Sequence, residues 1–192
     1  FVPGETVDDL VRAIKEASAE GLTATANFLG ESVHDEKNAR IFADTYFDVI
    51  ERIHAESLGA YVSVKFTALG QDISDAFLAE NVERILGRAR QAGVFIRFDM
   101  ESSEYTQRTL DAFEKVWAEG WRDIGVVLQS YLKRSAGDVA RMNQLGASVR
   151  LCKGAYNEPP EVAFKDKREV DRSFVELMKA LLSEGHRPAL AT

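Results

Sequence analysis

The chain has 192 residues, of which 45% are hydrophobic and 29% charged, a balance typical of a globular protein with a substantial core. The formal net charge of −7 argues against nucleic acid as the main partner, because phosphate binding needs a basic surface. No apolar run approaches the roughly 20 residues that a membrane span requires. The single cysteine, Cys152, excludes an internal disulfide and fits a reducing compartment, so we expect a cytoplasmic location.

The chain opens with a helical pattern and then alternates short apolar strands with amphipathic helices. The first helix is predicted over residues 6–20, where Thr6 and Asp9 resemble a capping box with Asp in place of the usual Glu or Gln. Gly21 ends this helix. Six strands are predicted, over residues 22–29, 61–67, 94–100, 124–128, 148–153 and 188–191.

The helices between these strands carry apolar residues at spacings of three and four, which predicts one buried face on each helix. The predicted inward residues are Phe42, Tyr46, Val49, Ile50 and Ile53; Leu78, Val82, Ile85, Leu86 and Ala89; Leu110, Phe113, Val116 and Trp117; Val139, Met142 and Leu145; and Phe174, Leu177, Leu181 and Leu182.

Regular alternation of strand and helix predicts parallel strands with crossover helices, an α/β fold. A dinucleotide-binding sheet is disfavoured, because no Gly-x-Gly-x-x-Gly follows the first strand. A (β/α)₈ barrel of the TIM type fits better, but the pattern contains only six of its eight units. We therefore expect residues 1–192 to form a single barrel domain that is incomplete at its C-terminus.

Polar residues recur at the carboxyl end of each predicted strand, which is where parallel barrels place functional groups. They are Glu31, Lys65, Asp99, Glu101, Gln129, Arg150, Lys153, Tyr156 and Thr192, with the apolar Met100 between Asp99 and Glu101. Asp99 could simply form a buried ion pair with Lys65 or with Arg150. Recurrence at the same end of every strand nevertheless favours one shared pocket, on whose mouth we expect Lys65, Asp99, Gln129 and Arg150 to converge.

Two other kinds of site are weaker predictions. Lys153 could form a Schiff base, as in aldolase barrels. A metal site is not expected, because the three histidines, His34, His54 and His186, are widely scattered. Cys152 is interpreted as a small buried core residue.

Six motifs occur in order along the chain: Phe-Leu-Gly-Glu at 28–31, Tyr-Val-Ser-Val-Lys-Phe-Thr at 61–67, Phe-Asp-Met-Glu at 98–101, Val-Val-Leu-Gln-Ser-Tyr-Leu at 126–132, Arg-Leu-Cys-Lys-Gly-Ala-Tyr at 150–156 and Glu-Pro-Pro-Glu-Val-Ala-Phe at 158–164. In this set and order, the sequence resembles proline dehydrogenase, particularly the bacterial single-function type. The resemblance covers nearly the whole chain.

The resemblance implies a flavoenzyme on a distorted (β/α)₈ barrel that catalyses the first step of proline catabolism. Such enzymes oxidise L-proline to Δ1-pyrroline-5-carboxylate by hydride transfer to FAD, and the electrons then pass to a quinone. Peripheral membrane contact is compatible with quinone reduction, and the oligomeric state is left open.

The resemblance also implies roles for individual residues. Asp99 and Arg150 would be catalytic, with Arg150 beside the flavin. Lys65, Leu151 and Tyr156 would bind the substrate, and Glu31 would gate the site by pairing with an arginine of a C-terminal helix. The residues that would contact FAD are Met100, Gln129, Arg150, Lys153, Gly154, Ala155 and Thr192.

The sequence departs from the family pattern in two places. Asn27 stands where family members often carry Asp. The last two strands, and a final helix whose paired arginines hold the proline carboxylate, are not in these 192 residues, so we expect weak proline binding by this chain alone. The alternatives are a Schiff-base aldolase that uses Lys153 and an inactive barrel fragment.

Overall fold

The computed structural model describes residues 2–192, in which helices and strands alternate as the sequence predicts. The helices are α1 (Val7–Ala19), α2 (Glu36–Ala55), α3 (Asp75–Ala92), α4 (Ser103–Ala118), α5 (Ser135–Leu145) and α6 (Lys167–Glu184). The strands are β1 (Ala24–Asn27), β2 (Ala60–Val64), β3 (Ile96–Phe98), β4 (Ile124–Gln129), β5 (Ser148–Cys152) and β6 (His186–Leu190). All six predicted strands are therefore confirmed, although most are shorter than predicted.

The chain divides within β3 into two compact units, one ending at Arg97 and the other beginning at Phe98. In the first unit, β1 pairs in parallel with β2, from Ala24 opposite Ala60 to Asn27 opposite Ser63. The predicted inner faces of α2 and α3 are buried except at Phe42, which is half-buried and packs its ring 4.7 Å from that of Phe28.

Two local signals in the first unit explain where its elements begin and end. The Thr6 side chain accepts a hydrogen bond from the Asp9 backbone and the Asp9 carboxylate accepts one from the Thr6 backbone, so the predicted capping box is confirmed. The second strand was predicted to extend to residue 67, but β2 ends at Val64 and residues Thr67–Leu69 form a turn of 3₁₀-helix. Gly70 ends that turn in a left-handed conformation, with φ of 100°, which glycine adopts without strain.

In the second unit, β4, β5 and β6 are parallel and adjacent in chain order. Val126 lies opposite Val149 and Gln129 opposite Cys152, so the carboxyl ends of β4 and β5 are level with each other. Leu110, Phe113 and Val116 of α4 are buried as predicted, and the half-buried Trp117 stacks on Phe113. This pairing brings the strand-end residues of the second unit to one edge of its sheet.

One predicted core position is wrong. Leu182 is 61% exposed, whereas its neighbour Leu181 is 1% exposed. Successive helical residues are rotated by about 100°, so only one of two adjacent leucines can continue the stripe set by Phe174 and Leu177.

No helix in residues 2–192 combines the length and apolar character needed to cross a bilayer.

Candidate functional site

In the second unit, an ion pair joins Asp99, which directly follows β3, to Arg150 in the middle of β5. Arg150 donates from Nη2 to Oδ1 of Asp99 at 2.5 Å, and the two side chains are 21% and 14% exposed. Arg150 lies on the half-buried face of β5, while its neighbours Val149 and Leu151 are fully buried on the other face. The ion pair therefore holds the Arg150 guanidinium in one orientation and leaves part of the side chain exposed.

Gln129 at the end of β4 connects this strand to the segment that follows Asp99. Its Nε2 donates to the backbone carbonyls of Met100 and Glu101, both at 3.0 Å. Its backbone carbonyl accepts a hydrogen bond from the Ser135 hydroxyl at 2.6 Å. Its Oε1, in contrast, is buried and receives no hydrogen bond from any residue between 2 and 192. A buried acceptor of this kind can take a hydrogen bond from a bound ligand.

The loop after β5 is shaped by Gly154 and Tyr131. Gly154 has φ of 111°, and a Cβ added to it would lie 2.3 Å from the Tyr131 ring. The Tyr131 backbone N–H donates to the Lys153 carbonyl at 2.9 Å, which fixes the ring over this glycine. Only glycine combines this backbone conformation with so close a ring.

Burial and, secondarily, the nearby Glu158 charge raise the pKa of the Tyr131 phenol. Tyr131 therefore stays protonated near neutral pH and keeps a proton to donate. Burial likewise raises the pKa of the half-buried thiol of Cys152, the last residue of β5. Cys152 is accordingly a neutral thiol and a poor nucleophile.

Lys153 does not have the surroundings of a Schiff-base lysine. Its Nζ lies 2.7 Å from Oδ1 of Asp171 in α6, and its side chain is 41% exposed. A Schiff-base lysine is usually activated by an apolar pocket or by a neighbouring cation. A carboxylate partner at the surface is neither of these environments, which disfavours the aldolase alternative.

The other predicted residues of the second unit differ in their exposure to solvent. Leu151 and Met100 are buried, Tyr156 is half-buried, and Ala155 and Thr192 are exposed. Ala191, next to Thr192, donates its backbone N–H to the Leu151 carbonyl at 2.8 Å. Their roles toward a substrate or cofactor remain predictions.

The first unit holds a second ion pair, between the two predicted residues Lys65 and Glu31. The Lys65 ammonium lies 3.3 Å from the Glu31 carboxylate. The Glu31 loop is anchored by Thr67, which accepts hydrogen bonds from Ser32 N at 2.9 Å and from Val33 N at 3.1 Å. Glu31 was predicted to pair with an arginine of a C-terminal helix; within the described residues its carboxylate meets Lys65.

Sequence reasoning assigned no role to three residues of the second unit that contact one another, the buried Tyr131 and Glu158 and the half-buried Ser103. The Glu158 carboxylate accepts hydrogen bonds from the Ser103 backbone at 2.6 Å, from the Ser103 hydroxyl and from the Tyr131 phenol at 3.4 Å. The only signal for them was a carboxylate just before Pro159 and Pro160 in a long loop.

No group of three or more His, Cys, Asp or Glu side chains arranged to hold a metal ion occurs among residues 2–192.

Comparison with known proteins decides the family. Residues 10–192 match the family model described as proline dehydrogenase. The chain belongs to the proline dehydrogenase family. It is 36% identical over 192 residues to proline dehydrogenase 1 of Bacillus subtilis and 35% identical over 196 residues to the proline dehydrogenase of Deinococcus radiodurans.

A solved structure of this family also matches the whole chain. Proline utilization A (PutA) from Bdellovibrio bacteriovorus, inactivated by N-propargylglycine, superposes on 100% of this chain and 25% of its own length, with a TM-score of 0.91 and 26% identity. The predicted fold, the first six β/α units of a (β/α)₈ barrel, is thereby confirmed. The chain spans 63% of the length of the two bacterial proline dehydrogenases.

Proposed function

We propose that this chain belongs to a flavin-dependent enzyme that oxidises L-proline to Δ1-pyrroline-5-carboxylate and passes the electrons to a quinone. Family membership supports the oxidation of proline. The observation that carries the proposal is the Asp99–Arg150 ion pair. It fixes the cation of Arg150, in the middle of β5, against Asp99 at the carboxyl end of β3, the kind of position where parallel barrels place their chemistry.

The residues of the second unit fit FAD. The buried Oε1 of Gln129 can accept a hydrogen bond, and the N–H of a flavin ring is a suitable donor. Arg150 offers a positive charge to an isoalloxazine that becomes negative on reduction. FAD, when bound, accepts the hydride from the carbon next to the proline nitrogen. The residues that would hold it are Met100, Gln129, Arg150, Lys153, Gly154, Ala155 and Thr192.

Arg150 and Asp99 have different roles in this proposal: Arg150 stabilises charge and Asp99 orients Arg150. The guanidinium of Arg150 stabilises negative charge that develops in the transition state, and it does so without reorganisation because it is already oriented. Asp99 holds that orientation through its hydrogen bond to Nη2. Asp99 thus acts on the reaction mainly through the position of Arg150.

Lys65 supplies a point charge for the substrate carboxylate. Its present partner is the Glu31 carboxylate at 3.3 Å, so an incoming proline carboxylate would replace or share that contact. Tyr156, which is half-buried, would wall the proline ring, whose uncharged methylene groups favour an aromatic neighbour.

The test is proline-dependent reduction of an electron-accepting dye by the purified protein in its full natural length, with FAD content measured on the same sample. We expect activity in the wild type and a fall in kcat/KM of about a hundredfold or more for Arg150→Met, the range found when a preorganised charge-stabilising donor is removed. Arg168→Met is the matched control, because Arg168 is 88% exposed and pairs only locally with Asp166. FAD-loaded wild-type protein that never reduces the dye with proline, or Arg150→Met with normal activity, would contradict the proposal.

A further inference from the structure

Glu158 is an unusual residue for a surface loop, because its carboxylate is buried. The residue is 6% exposed and lies between Tyr156, two residues before it, and the Pro159-Pro160 pair. A buried carboxylate is costly unless donors surround it. Here three donors do: the backbone and hydroxyl of Ser103 and the phenol of Tyr131. We call Ser103, Tyr131 and Glu158 the Glu158 clamp.

The first end of the clamp is the start of α4. The N-cap residue of that helix, Ser102, makes no side-chain capping bond. Glu158 supplies the missing acceptor from 55 residues away, by binding the N–H of Ser103 at 2.6 Å. Negative charge is favourable at a helix N-terminus, where backbone N–H groups lack partners. The start of α4 comes only three residues after Met100, so the clamp fixes the segment that carries Asp99 and Met100.

The second end of the clamp is the loop after β5. Glu158 donates its own N–H to the Tyr156 carbonyl at 3.0 Å. The Tyr131 ring packs against Gly154, and its hydroxyl reaches the Glu158 carboxylate. The clamp therefore holds Gly154, Ala155 and Tyr156, which the proposed function places against the cofactor and substrate.

We propose that Glu158 is a positioning residue that couples the segment of Asp99 and Met100 to the loop of Gly154–Tyr156 and so sets how tightly proline is bound. This inference rests on the proposed function, because it takes proline as the substrate. The contacts of the Glu158 clamp themselves do not depend on that function. Glu158 touches neither reacting group and acts through Tyr156 and through the start of α4. Two lysines also contact this loop, but neither binds the Glu158 carboxylate: Lys133 Nζ donates to the Pro160 carbonyl at 2.6 Å, and Lys165 Nζ donates to the Glu158 backbone carbonyl and to the Asn157 side chain.

The test compares Glu158→Gln with Glu161→Gln in the full-length, FAD-loaded protein. Both changes remove one carboxylate charge from the same loop, but Glu161 is exposed. In Glu158→Gln we expect the KM for proline to rise roughly tenfold, as when a charge-assisted hydrogen bond gives way to a neutral one, while kcat changes by less than about threefold. Amide hydrogen exchange of residues 153–163, measured without proline, should accelerate in Glu158→Gln and not in Glu161→Gln.

Ser103→Ala keeps the backbone donor and removes only the hydroxyl, so it should give a smaller shift of the same kind and should add little to Glu158→Gln in the double variant. It also serves as the test if Glu158→Gln does not fold. A lower melting temperature with unchanged KM and unchanged exchange in the loop would mean a purely structural role and would overturn the inference. If the wild type shows no proline activity, the proposed function fails, while the exchange measurement still decides whether the clamp orders the loop.

Discussion

At the scale of single residues, the candidate site depends on groups whose partners are far away in the chain. Arg150 meets Asp99 across 51 positions, and Ser103 meets Glu158 across 55. Sequence reasoning placed Arg150 and Asp99 at strand ends, because strand positions follow from hydrophobic periodicity. It could not find the Glu158 clamp, because a long-range contact between a loop carboxylate and a helix N-terminus leaves no periodic pattern.

Gly154 allows the sharpest prediction at this scale. Gly154→Ala would force an L-residue to φ of 111° and drive its Cβ into the Tyr131 ring. We expect the free energy of unfolding to fall by more than about 1 kcal/mol, because the native conformation is incompatible with a side chain. Chemical denaturation followed by circular dichroism measures this change.

The matched control is Gly137→Ala. Gly137 lies inside α5, and a Cβ added there meets nothing within 4 Å. Alanine should therefore stabilise the helix by about 0.5–1 kcal/mol. Equal effects of the two substitutions would show that the Tyr131 ring does not press on Gly154.

At the scale of elements, the order and type of the helices and strands could be read from the sequence, but their ends and some faces could not. The capping box of Thr6 and Asp9 located the start of α1 because it is a local signal. The end of β2 was missed because Lys65, Phe66 and Thr67 continue the alternation of apolar and polar residues, while the backbone turns into a 3₁₀-helix from Thr67. Leu182 was misassigned because two adjacent leucines both fit a spacing of three or four.

The two leucines of α6 provide a test of that face. Leu181→Ala removes a buried side chain and should lower the free energy of unfolding by about 2–5 kcal/mol. Leu182→Ala removes an equal volume from an exposed position and should change it by no more than about 0.5 kcal/mol. Urea denaturation of the two variants measures both values. A larger loss in Leu182→Ala than in Leu181→Ala would reverse the orientation of α6.

At the scale of the whole molecule, the family of the chain is established, whereas the roles of its individual site residues are predictions. Six motifs in one order predicted it, and the match over residues 10–192 confirms it. The roles of Lys65, Tyr156 and Thr192 stay predictions, because they concern molecules that bind to the chain. Sequence can predict which side chains stand at strand ends, but the orphaned acceptor of Gln129 became visible only once its neighbours were placed.

The most direct test of flavin-dependent proline oxidation is an anaerobic titration of the full-length, FAD-loaded protein with L-proline, followed by the visible absorption of the flavin. Without an acceptor, proline should bleach the oxidised flavin in a single reductive half-reaction, and adding a quinone should restore the colour. A flavin that binds stoichiometrically yet keeps its oxidised spectrum in saturating proline would contradict the account.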